Sequence, residues 1–205
     1  MINTIFSTVT QVLMFSAIPF FVYLIKKRQV KGFWDYIGLK KSTRRANMLA
    51  FLVVLILVVP MLFLTFTNQE FKEIMINPKS VAGEIRQMGF GLEAIATILI
   101  MAVLKTSLSE EIFFRGFLAK RLIAVTNFQV GNTLQAILFG AIHTLLFMSI
   151  TENVYFLTVI FIFPAMGAYF KTYLNERLAN GSIIPGWIAY ASANIIAYSA
   201  IAFIL

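Results

Sequence analysis

The chain has 205 residues, of which 60% are hydrophobic and 13% charged, with a net charge of +8, 21 Phe and no Cys. An ordinary soluble domain is about 45–50% apolar, so this composition excludes that class and puts the chain among membrane proteins. Without Cys there are neither disulfides nor thiolate metal sites, and the positive charge sits in loops beside apolar runs, so it reports membrane topology and no nucleic-acid partner is expected.

Residues 5–25 are the first predicted span, and about 20 residues suffice to cross ~30 Å of hydrocarbon. MINTIFS lacks the basic flank of a cleavable signal, and the run ends in Lys26, Lys27 and Arg28 where a cleavage site would need small residues. The span is therefore expected to be retained. Residues 26–47 carry Lys26, Lys27, Arg28, Lys31, Lys40, Lys41, Arg44 and Arg45 against one acid, Asp35. By the positive-inside rule this loop is expected to be cytoplasmic, with the N-terminus outside the plasma membrane. Trp34 and Tyr36 suit the headgroup level, so GFWDYIGL is expected to lie on the membrane surface.

Residues 48–66 form the second span, with a kink expected at Pro60. Residues 68–91 are polar and charge-balanced and read as an outside loop. Residues 92–125 hold no Pro and only one Gly, Gly116. They read as one long helix running inward, or as two helices if it breaks at that glycine. Residues 130–147 return outward, and residues 153–174 come in again with Lys171 and Arg177 at the cytoplasmic end. NERLANGS is a turn. Residues 183–205 are the last span, opened by Pro185, where a missing N–H costs little. The expected fold is an all-α, polytopic transmembrane bundle of about six to eight helices in one integral-membrane domain. Within it, residues 1–91 supply N-terminal helices and the basic loop, and residues 92–205 a core.

Lys120, Gln129, Lys171 and Ser182 serve as markers of the inner interface. Counting from them at 1.5 Å per residue, Glu110 lies ~15 Å deep, Asn194 ~18 Å and His143 ~21 Å. Polar groups from three spans thus reach a similar depth, as a shared intramembrane site requires.

Ionisable groups inside spans cost several kcal/mol and usually face the bundle interior or a wet cavity. Glu111 and Arg115, four apart, share a helix face and can neutralise each other as a charge-assisted pair. Glu110 points about 100° away and is the candidate working group, a general base. The plainer alternative, an interfacial charge cluster, fits poorly, because apolar residues flank the cluster and Lys120 comes later. His143 is the single histidine. It is either a packed core residue or, with Glu110, the means of deprotonating a water. Asn194 is either interhelical glue or an oxyanion donor, and the Tyr190 hydroxyl one turn earlier is a second candidate donor. Lys105 either pairs with a site carboxylate or snorkels outward.

EEIFFR, with Glu110, Glu111 and Arg115, fits an EExxxR signature, and FGAIH, with Phe139 and His143, fits FxxxH. In this order, in a polytopic chain, residues 92–205 resemble the CAAX-protease and bacteriocin-processing (CPBP) family of intramembrane proteases. That family includes type II CAAX prenyl endopeptidases and bacterial bacteriocin-immunity proteins. Its third motif, HxxxN, departs here: YASAN keeps Asn194 but puts Tyr190 in place of the second histidine. The resemblance implies an intramembrane endopeptidase, bacterial in origin, in which Glu110 and His143 activate water. Residue 190 and Asn194 would hold the oxyanion, and Glu111 and Arg115 would support the site. The implied substrate is a membrane-associated peptide or protein, such as a bacteriocin precursor or pheromone, with self-immunity as a related role.

Tyrosine donates one hydrogen bond but takes no proton at neutral pH, so a catalytically weak or inactive scaffold that binds a membrane partner is the alternative. Members of the family are often called metalloproteases. Here there is no HExxH, and zinc would need Glu110 or Glu111 with His143 and a further ligand. With Tyr190 in place of histidine, a metal-free mechanism without a cofactor is expected.

Overall fold

A computed structural model describes residues 1–205, and it is all-helical. Six helices are long and apolar enough to cross a membrane: α1 (Ile2–Lys27), α3 (Arg44–Thr67), α6 (Leu92–Val125), α7 (Phe128–Phe147), α8 (Val154–Leu178) and α9 (Ile184–Phe203). Three short ones join them: α2 (Phe33–Ile37), α4 (Gln69–Met75) and α5 (Val81–Gln87). The long helices are apolar on nearly every side because lipid, not water, is their solvent. Phe6, Leu13 and Phe21 on α1 and Phe51, Leu55 and Phe63 on α3 accordingly point outward.

Local chemistry sets where the helices begin. The side chains of Thr43, Asn127 and Asn153 accept from the backbone N–H groups of Ala46, Val130 and Phe156, capping α3, α7 and α8. Pro185 falls in the first turn of α9, as expected. Helix α3 runs on through Pro60 to Thr67.

Contacts between distant segments fix the alternation of the spans. At one end the N-terminal ammonium meets Glu93 at 3.0 Å and Asn153 donates to Glu70 at 2.5 Å. At the other, basic end, Lys120 pairs with Glu176 at 2.5 Å and Thr43 donates to the Leu178 carbonyl at 2.8 Å. Here α2 is docked onto the bundle. Ile183 N–H donates to Gly38 O at 2.8 Å, and Arg121 donates to Tyr36 O at 3.1 Å while lying over the Tyr36 ring. Gly116 faces α2 closely, since a Cβ there would stand 2.5 Å from Ile37 O. Phe33 and Ile37 are buried and Trp34 is exposed.

Two expectations need correction. Residues 68–91 are not a plain loop but hold α4 and α5. Asn68 and Ser80 cap them, and the buried Phe71 and Ile85 fold them onto the bundle. The turn after α8 is shorter than NERLANGS, because the helix continues to Leu178 before Asn180 and Gly181 turn the chain with positive φ. Helix α6 is the single long helix expected, and it does not break at Gly116. Its backbone instead widens to i→i+5 hydrogen bonding over Ile100–Leu108 and Glu111–Ala119, and α8 does the same over Leu174–Leu178. Such π-helical turns are rare and appear frequently at functional sites.

Candidate active site

Where the widened parts of α6 and α8 meet α7 and α9, a buried ionic layer forms. Glu111, Arg115 and Lys171 are 0%, 1% and 4% exposed. One oxygen of Glu111, Oε1, stands 3.2 Å from Arg115 Nε and 3.2 Å from Lys171 Nζ. Its other oxygen accepts from Asn175 Nδ2 at 3.4 Å, and Asn175 Oδ1 accepts the Gly186 backbone N–H at 2.9 Å. Gly186 is a requirement of close approach: a Cβ there would lie 2.4 Å from Glu111 Oε2. Trp187, the next residue, ties α9 to α6 by donating to Val103 O at 2.8 Å.

The Phe139 ring is the floor of this layer. Arg115 Cζ lies 4.1 Å and Lys171 Nζ 5.1 Å from its centroid, and Phe114 meets it edge-on at 5.0 Å. A desolvated cation over an aromatic face gains about 2 kcal/mol, which helps hold both cations away from water.

Above lies a layer of partly exposed groups. Tyr190 O–H donates to Glu110 Oε2 at 2.7 Å, and the same hydroxyl is 3.4 Å from His143 Nε2. His143 Nδ1 is 2.9 Å from Phe139 O, its own i−4 carbonyl. Nδ1 must carry the proton to donate there, which leaves Nε2 a bare acceptor facing Tyr190. Glu110 and His143, two of the three groups expected at a common depth, are brought together from α6 and α7 by Tyr190 of α9.

Asn194 is not part of that contact. Its amide donates to Ser107 Oγ at 3.2 Å, one stretch earlier on α6. Lys105 pairs with no carboxylate; its carbonyl accepts from Gln11 Nε2 at 2.9 Å and from Ser109 Oγ. Lys171 is the main correction. It was expected to mark the interface, yet its ammonium is drawn into the core by Glu111 and lies 3.5 Å from the Tyr190 ring centroid. Sequence reasoning missed Lys171, Asn175 and Gly186 as site residues. A signal existed for Lys171, the only charged residue between Glu152 and Glu176. None existed for Gly186.

The donor set does not fit a catalytic zinc, which takes three protein ligands. No three His, Asp or Glu side chains converge anywhere in the chain, and Tyr190 is a poor neutral ligand. What the arrangement offers is a carboxylate, an imidazole acceptor and a phenol donor within reach of one another, on a buried, charge-paired foundation.

Six helices long and apolar enough to cross a membrane, with a polar cluster in their midst, mark a membrane protein. The family model described as type II CAAX prenyl endopeptidase Rce1-like matches residues 92–196, and the chain belongs to this family of CAAX-type proteases. No curated protein and no solved structure matches the chain.

Proposed function

We propose that the protein is an intramembrane endopeptidase that hydrolyses a peptide bond of a membrane-associated peptide or protein by water activated between Glu110 and His143. The observation that carries this reading is the meeting of Glu110, Tyr190 and His143 from three spans, at 2.7 and 3.4 Å. All three are partly exposed, whereas their supports Glu111, Arg115 and Lys171 are buried. Working groups that substrate and water can reach, on a foundation they cannot, suit hydrolysis.

In the proposed reaction, the water oxygen bonds to the carbonyl carbon and its proton passes to Glu110. A protonated carboxyl is a poorer acceptor, so the Tyr190 O–H turns from Glu110 to the oxyanion that has just formed; Asn194, one turn along α9, shares that donor role only by turning its amide from Ser107. As the C–N bond breaks, Glu110 returns the proton to the leaving amine; His143 Nε2 acts earlier, holding the water in line for its attack. The basic loop then faces the cytoplasm of a bacterial plasma membrane, and the substrate enters from that side or from lipid. Bacteriocin processing or self-immunity is the setting we favour, from the resemblance of the motifs.

A second reading, a scaffold that protects by binding a membrane partner, is favoured by Tyr190 standing where the motif has histidine. Glu110→Gln separates the two. Wild type and variant are compared at matched membrane levels in a deletion host, with peptide N-termini read by mass spectrometry and bacteriocin survival scored in parallel. Loss of a positioned base predicts a fall of roughly 10²–10⁴-fold in cleavage, with protection lost alongside. Protection that survives without any Glu110-dependent cleavage refutes the enzyme reading in favour of the scaffold.

A further inference from the structure

We infer that Lys171 is a positioning residue of this site: its ammonium, lodged between Glu111 and the face of Tyr190, sets where the Tyr190 hydroxyl stands relative to Glu110 and His143. The inference rests on the hydrolytic reading above for its effect on turnover, though not for its geometry.

Three observations carry it. Lys171 Nζ is 3.2 Å from Glu111 Oε1 on one side and 3.5 Å from the Tyr190 ring centroid on the other. At that distance the ammonium touches the ring face, the geometry of a cation–π contact, and at 4% exposure no water competes for it. The Tyr190 hydroxyl, at the far end of the same ring, is the atom that meets Glu110 at 2.7 Å and His143 at 3.4 Å. Shifting a phenol ring at its face moves its hydroxyl, so the cation governs those two distances.

The second observation is charge. The bundle holds two acids, Glu110 and Glu111, against two cations, Arg115 and Lys171; only Glu111 touches the cations, Glu110 meets Tyr190, and Lys105 pairs with neither acid. Without Lys171 one carboxylate in the bundle is uncompensated, which buried sites tolerate badly. The third is placement. Phe139 holds both cations, so Lys171 cannot swing away from Tyr190 without leaving that floor as well.

A residue that only braces Glu111 would cost the same whatever stands at position 190. A residue that positions the Tyr190 hydroxyl has nothing to position once the hydroxyl is gone. Lys171→Met, similar in length but uncharged, is therefore measured in both Tyr190 and Tyr190→Phe chains. With Tyr190 present, losing a desolvated cation–π contact is expected to lower kcat on the order of 30-fold, leaving KM within about threefold. In the Tyr190→Phe chain the same change is expected to cost no more than about threefold. Equal losses in the two chains overturn the inference.

A second readout needs no activity. His143 is the only histidine, so ¹⁵N-histidine labelling gives the resonances of one imidazole. Lys171→Met is expected to shift the Nε2 resonance in the direction that Tyr190→Phe shifts it; an unmoved resonance overturns the inference. Lys171→Gln, which keeps an N–H for Glu111 but no charge, is expected to match the Met variant and serves if Met does not accumulate. If wild type cleaves nothing while the Nε2 shift appears, the hydrolytic reading falls and the positioning of Tyr190 by Lys171 stands.

Discussion

Gly186→Ala tests the foundation of the site with one methyl group. The new Cβ would lie 2.4 Å from Glu111 Oε2, 2.7 Å from Asn175 Nδ2 and 3.1 Å from Asn175 Oδ1. Ordinary contact needs about 3.5 Å, so Glu111 or α9 must move by roughly 1 Å. If Glu111 slides yet keeps both ion pairs, the cost is that of overpacking, about 1–3 kcal/mol. If it leaves Arg115 and Lys171, two buried cations lose their partner and the cost rises to about 3–5 kcal/mol. For a chain of this size each kcal/mol lowers Tm by about 2–4 °C, so a fall of about 2–12 °C in the first case and about 6–20 °C in the second is expected in detergent-solubilised protein. A displacement of about 1 Å beside reacting groups can cost on the order of 10²-fold in rate, which peptide cleavage would read. Gly91→Ala is the control, because a Cβ there meets nothing within 4 Å, and it should change neither quantity. A Gly186→Ala protein with wild-type Tm and cleavage within about threefold of wild type would refute the claim that this contact holds Glu111 in place.

Tyr190→Phe removes the one hydroxyl shared by Glu110 and His143, and cleavage is expected to fall by about 10²–10³-fold with Tm little changed. Tyr190→His, which restores a donor, should retain or raise activity; if Phe is harmless in the same cleavage assay, the residue only packs. Glu111→Gln leaves Arg115 and Lys171 without their shared carboxylate and is expected to destabilise the fold by about 3–5 kcal/mol, read by thermal unfolding. Glu110→Gln, at a partly exposed position, should by contrast lower cleavage without that loss of stability, and equal unfolding of the two variants would contradict the division into working and supporting carboxylates.

Much of this protein was legible from one dimension. The number of spans, their alternation, the basic loop and the motif residues follow from hydropathy and charge, because lipid imposes the same demand on every segment that crosses it. The Glu111–Arg115 pair was legible too, since it is local to one helix. The similar depth of Glu110 and His143 was legible because depth in a membrane can be counted from the sequence, but Asn194, counted to that depth as well, does not join their contact.

What only the tertiary structure decided is which side chains share a point at that depth. Rotation about each helix axis depends on packing, and the π-helical turns of α6 and α8 break the 3.6-residue period from which facing is inferred. That is why Asn194 meets Ser107 and not the Glu110 cluster, and why Lys171, one charged residue in an apolar run, could be read as an interface marker. A lysine side chain reaches several ångströms either way along its helix. It goes inward here because Glu111, fixed by Arg115 and by the space Gly186 leaves open, offers it a charge that lipid cannot.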